Sequence, residues 1–99
     1  MDDVQKKAQD NEFYAVADRF IDLANTQCEN EDPSFIASGM LFAAARFSAF
    51  VVASQAHDKE SYESEFDRAT EFFCGEYERM LKQNLAEYTT VFESKDSDT

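Results

Sequence analysis

The sequence predicts an all-α domain. The expected form is a three-helix bundle with a buried central helix and a long C-terminal helix, paired as a helical homodimer. Three observations carry this. The 99 residues include only two Gly and one Pro, too few for the many turns of an all-β fold. Apolar residues make up 43% of the chain, enough for a core and against disorder throughout. Apolar side chains recur at helical spacing along three segments. The length suits one domain, read as residues 10–93 between a flexible N-terminal tail over 1–9 and a flexible C-terminal tail over 94–99.

The first helix is expected from about Asn11 to Gln27, with Asp10 or Asn11 as its N-cap. There a side-chain oxygen accepts from an orphan backbone N–H. Phe13, Ala17, Phe20, Ala24 and Cys28 mark one apolar face, with Val16 and Ile21 at its edges and Asp18 and Asp22 opposite. The connection Glu29-Asn30-Glu31-Asp32-Pro33 follows. Pro33 discourages helix through Asp32 and then suits the first turn of the next helix, with Asp32 as cap.

The second helix is expected from about Ser34 to Gln55. Ile36, Met40, Phe47, Phe50 and Val51 form one face, Leu41 and Val52 another, Phe35 and Phe42 a third. Small residues fill most of the remainder. A helix apolar nearly all round is a central one. Phe35 to Ala53 is also long enough to cross a bilayer. Arg46 near its middle and the absence of flanking basic clusters favour a buried helix and no membrane association.

After a turn over Ala56 to Lys59, the third helix is expected from about Glu60 to Phe92. Tyr62, Phe66, Ala69, Phe73, Tyr77, Met80, Asn84, Tyr88 and Val91 follow one stripe, which passes Gly75 in phase, so one helix with a bend there is expected. At 1.5 Å per residue this helix is about 50 Å long, against roughly 25 and 33 Å for the first two. Its end should therefore overhang. Tyr77, Met80, Asn84, Tyr88, Val91 and Phe92 form a candidate self-association stripe, which a second copy would cover. Asn84 within it is a candidate register residue.

Lys+Arg number 9 and Asp+Glu 21, so the formal charge is 9 − 21 = −12. That excludes direct nucleic-acid binding, which needs a basic surface to release counterions. Residues 1–9 contain no apolar run of the secretory kind, so a cytoplasmic location is expected. Cys28 and Cys74 lie far apart and the chain has one His, a set that cannot make a structural zinc site. Buried or half-buried free thiols are expected. No Glu-x-x-His pair occurs, and His57 stands in a turn beside Asp58, so neither a metal nor any other cofactor is expected.

Two polar features stand out. Arg46 is the lone charge of the second helix, and a guanidinium in that setting needs carboxylate or carbonyl partners. Glu60, Glu63, Asp67, Glu71 and Glu78 share one face of the third helix, a candidate acidic interaction face for a basic protein surface. No G-x-S-x-G, glycine-rich phosphate loop or H-E-x-x-H occurs.

Three strings, Glu12-Phe-Tyr-Ala-Val-Ala-Asp-Arg-Phe-Ile-Asp-Leu-Ala-Asn25, Ser38-Gly-Met-Leu-Phe-Ala-Ala-Ala-Arg-Phe-Ser-Ala-Phe50 and Tyr77-Glu-Arg-Met-Leu-Lys-Gln-Asn-Leu-Ala-Glu-Tyr88, resemble a proteobacterial family, domain of unknown function 3144. The resemblance covers most of Asn11 to Tyr88. In that family a small polar residue, often Asn, takes the place of Ser48, and the loop before Pro33 is less acidic. The resemblance implies a helical bacterial domain with no assigned activity. It singles out Arg46, Asp22 and Asn25 as a candidate buried polar site without giving them roles.

The functional expectation is a small acidic, non-catalytic protein-interaction or regulatory module. An alternative is an acidic nucleic-acid mimic that inhibits a nucleic-acid-binding protein, of the phage or host anti-defence type. A second is a small-ligand binder or enzyme using Arg46. The balance leans away from an enzyme. No partner, ligand or pathway is named by the residues.

Overall fold

A computed structural model describes residues 3–97, with side chains described for 3–93. The described residues are all-α, with no strand among them. Four helices follow in order: α1 (Asp3–Gln27), α2 (Pro33–Gln55), α3 (Lys59–Ser64) and α4 (Phe66–Ser97). The chain divides into two units, Met1–Ala49 and Phe50–Thr99, with the boundary inside α2.

In the first unit, α1 begins earlier than expected. Asp10 and Asn11 lie inside the helix and cap nothing, and the expected tail over 1–9 is helical from Asp3. The physical reason is local. Val4 to Gln9 contain no Gly or Pro and include Lys6, Lys7 and Ala8, all good helix formers. Asp3 places an acid in the first turn, where the helix dipole favours it. Residues 1–2 lie outside the described part.

At its other end α1 tightens. Cys28 N–H donates to Ala24, then Glu29 and Asn30 donate three residues back, to Thr26 and Gln27. That pattern is how a helix spends its last carbonyls before a stop. Pro33 then opens α2 with Asp32 as cap, as expected: Asp32 Oδ1 accepts from the Ser34 N–H at 2.7 Å.

The second unit holds the end of α2, then α3 and α4. The single third helix expected from Glu60 to Phe92 is two helices. The break is at Glu65, not at Gly75, through which α4 runs without interruption. The cause is a competition of side-chain bonds with the helix ladder. Asp58 accepts from Ser61 N–H at 2.8 Å, while the Ser61 hydroxyl lies 3.2 Å from the His57 and Asp58 N–H groups. This capping box starts α3 crisply. Ser64 then returns its hydroxyl to Ser61 O at 2.8 Å, a bond that bends helices. Glu65 takes φ −92° and ψ −6°, the sparsely populated bridge region. The Ala69 N–H donates to Glu65 O at 2.8 Å and α4 is under way. Tyr62 and Phe66 meet edge-to-face across the break, centroids 4.9 Å apart.

α4 continues to Ser97, so the expected C-terminal tail is helical over 94–97, and residues 98–99 lie outside the described part. Gly75 lacks a positive φ and has open space where a Cβ would stand. It is therefore an ordinary helical residue that costs α4 backbone entropy without a steric purpose.

The expected burial of α2 is not found within the chain. Its bounds are as predicted, but none of its residues is buried, and no described residue elsewhere is. A helix apolar on three sides needs neighbours on three sides.

Candidate functional site

Each candidate surface is built by helix periodicity rather than by a cavity. On α4 the spacing of Tyr77, Met80, Tyr88, Val91 and Phe92 leaves these side chains on the surface, with Tyr88 67% exposed. Asn84 is held in part by its own helix: its Nδ2 donates to Met80 O at 2.8 Å. That bond uses one of the two amide N–H groups and leaves the other, with Oδ1, for a partner.

The five acidic residues of the candidate face are exposed, as expected of charges on a helix. The break at Glu65 divides them: Glu60 and Glu63 stand on α3, Asp67, Glu71 and Glu78 on α4. Two are partnered by their own helix. Glu63 faces Lys59 at 3.8 Å and Glu78 faces Lys82 at 2.9 Å. Arg79 and Glu76 pair at 3.0 Å beside them. Such exposed i,i+3 and i,i+4 pairs stabilise by a few tenths of a kcal/mol each, about 0.3–0.5. Glu60, Asp67 and Glu71 make no ion pair among the described residues and carry the unneutralised part of the face.

With Asp22 and Asn25, Arg46 was expected in a buried polar site, and all three are exposed. Asp22 offers its backbone carbonyl to the Thr26 hydroxyl at 3.0 Å, and no hydrogen bond or ion pair links it to Arg46. The reason follows from α2: a guanidinium that is not buried needs no internal carboxylate. The thiols divide as well. Cys28 is half-buried at the end of α1, whereas Cys74 is exposed on α4.

Sequence reasoning missed the polar centre at the α2–α3 turn. The Ser61 backbone N–H, and then its hydroxyl, hold the Asp58 carboxyl below its usual value of 3.8. The signal was present as Asp58-Lys59-Glu60-Ser61, an N-cap residue followed three positions later by a hydroxyl. Among the described residues no group of three or more His, Cys, Asp or Glu gathers at metal-binding distance.

Chemically, these arrangements offer apolar helix faces, an acidic face and one isolated cation. The sequence profile of Protein of unknown function (DUF3144) matches residues 13–89. No curated protein matches the chain, and no solved structure does. The chain belongs to that family of unknown function.

Proposed function

We propose that this protein is a small non-catalytic interaction module that self-associates, its helices completing a bundle with those of a second copy. One observation carries the reading. Phe13 and Phe20 on α1, Phe35 and Phe42 on α2, and Tyr88 and Phe92 on α4 are all exposed, while no described residue is buried. Burying a side chain of this size stabilises by about 1.5–3 kcal/mol, so leaving whole rows in water is a strong drive toward association. The α4 stripe from Tyr77 to Phe92 is one surface such a partner covers, and the cytoplasm is the compartment this reading assumes.

Light scattering coupled to size exclusion tests it. Two copies of charge −12 repel, and salt shortens that repulsion from about 30 Å at 0.01 M to about 8 Å at 0.15 M. Self-association through apolar faces therefore strengthens with salt, toward a mass near twice 11.3 kDa. A monomer at every concentration and salt overturns the reading.

The acidic face supports a second reading, a nucleic-acid mimic, because Glu60, Asp67 and Glu71 stay unneutralised by their own helix. A basic protein bound there is released by salt, and replacing Glu60, Asp67 and Glu71 with the amides abolishes its capture. The third possibility, a ligand site at Arg46, has no gathered polar partner to support it.

A further inference from the structure

The half-buried residues of α2 are confined to one part of its circumference. At about 100° per residue its three apolar sides stand roughly 120° apart. Its half-buried residues are Ile36, Ser48, Val51 and Val52, and all lie on the arc spanned by the first two sides. The third side stays open, with Phe35 67% and Phe42 68% exposed. Between them Gly39 has nothing within 4 Å of where a Cβ would stand.

Followed along the helix, that third side is Phe35, Gly39, Phe42, Arg46, Ala49 and Ala53. The steps alternate between four and three residues, the spacing of a heptad seam. It carries three large side chains, Phe35, Phe42 and Arg46, and three small residues, Gly39, Ala49 and Ala53. We propose that this seam packs antiparallel against the same seam of a second copy, about a two-fold axis near Met40 and Leu41. This rests on the self-association reading and names the place where the copies meet.

The antiparallel register is self-complementary. It sets Phe42 over Gly39 of the second copy, a knob over the one position with no side chain. It also sets Arg46 over the Phe35 ring of the second copy, a cation–π geometry. One turn further stands Asp32 of the second copy. Its Oδ1 caps α2 through Ser34 N–H, which leaves Oδ2 as an acceptor for the guanidinium. A parallel pair instead sets Arg46 against Arg46. Arg46 is the only charged residue of α2, and Glu29, Glu31 and Asp32 precede the helix. Antiparallel packing thus brings the cation of each copy to the acidic turn of the other. Elsewhere the −12 charge of each copy opposes contact.

The area is sufficient. Phe rings bury 150–250 Å² each when fully covered, so four rings two-thirds exposed supply roughly 400–700 Å². The Arg46 stems and small flanking residues raise the seam to on the order of 1,000 Å², the lower bound for a specific interface. A second copy satisfies the third side of both α2 helices at once, which a different protein would do for only one.

The experiment uses the full chain with Cys28→Ser and Cys74→Ser, spin-labelled at a single added cysteine, Ala49→Cys or Ala53→Cys. With helices about 9 Å apart, the antiparallel register puts the Cα atoms of the two copies about 27 Å apart at position 49 and about 39 Å at position 53. A parallel seam gives about 10 Å at both and overturns the register. Phe42→Glu is expected to weaken the dimer by roughly 100-fold or more, because a two-fold interface loses the ring twice. If that variant fails to fold, Gly39→Leu decides: it improves helix propensity, its Cβ meets nothing within 4 Å in its own chain, and its side chain fills the space under Phe42. It should yield a helical monomer.

The outcomes are separable. A wild-type dimer untouched by Gly39→Leu and Phe42→Glu, yet split by Tyr88→Glu, sinks the seam and leaves self-association standing on α4. A wild-type monomer sinks both. α2 also has the length and mean hydropathy, 1.8, of a membrane-crossing helix. Insertion of the wild-type chain into vesicles of neutral lipid, with α2 protected from protease, sinks the seam in favour of the bilayer.

Discussion

Replacing Gly75 with Ala should stabilise the protein, and the size of the gain follows from the geometry. Gly75 is the tenth residue of α4, which starts at Phe66, and its φ is not positive. The new methyl group meets nothing within 4 Å. Two effects then remain, and both favour Ala. The unfolded chain loses conformational freedom, and the helix interior loses its least favourable residue short of proline. Together they amount to about 0.5–1 kcal/mol. For a chain of this size 1 kcal/mol shifts Tm by roughly 4–8 °C, so the expected rise is about 2–8 °C. If folding and association are one transition, the substitution enters twice but so does the unfolding entropy, and the shift is unchanged at fixed protein concentration. Thermal unfolding followed by circular dichroism at 222 nm measures it, with wild type and variant at equal concentration. A fall in Tm refutes the reasoning, because it means that another segment or a partner occupies the space beside Gly75.

Gly39→Ala is the companion measurement: the same local gain is expected from helix propensity, but the methyl group meets Phe42 of a second copy, so Tm should rise less than for Gly75→Ala, or fall. Lowering the pH should loosen the start of α3. The Asp58 carboxyl titrates below its ordinary 3.8, so its contribution is complete above that value and is lost as pH falls through the lower folded value. Exchange of the Ser61 amide should therefore quicken below about pH 4 relative to neighbouring amides, and Asp58→Asn should remove that pH dependence. Lys82→Ala, which breaks the exposed 2.9 Å pair with Glu78, should change stability by less than about 0.5 kcal/mol in denaturant titration. Tyr88→Glu should leave helix content unchanged in circular dichroism, because Tyr88 is 67% exposed.

Helix type and the connection before α2 were legible because their causes are local. Pro33 with Asp32 sets the start of α2 through a restricted φ and one side-chain bond. The start of α1 was misplaced because Asp10 and Asn11 resemble caps, yet nothing before them stops a helix. The long C-terminal segment reads as one helix with a bend at Gly75, because the apolar stripe passes that residue in phase. The break falls at Glu65 because Ser61 and Ser64 offer the backbone competing bonds within one turn. A stripe of apolar residues keeps its phase across such a break, so periodicity could not report it.

The candidate sites divide the same way. The sequence by itself determined that α2 is apolar on three sides, that Arg46 is its only charge, and that the acids of the third segment share a face. Composition and a period of 3.6 residues suffice for each. Only the tertiary structure decided that the side chains of these faces are exposed, that Asp22 and Asn25 do not gather round Arg46, and that Asn84 gives one amide N–H to its own helix. Burial depends on which surfaces meet. An amphipathic pattern states that a face must be covered, and carries no record of whether the cover is the same chain or another.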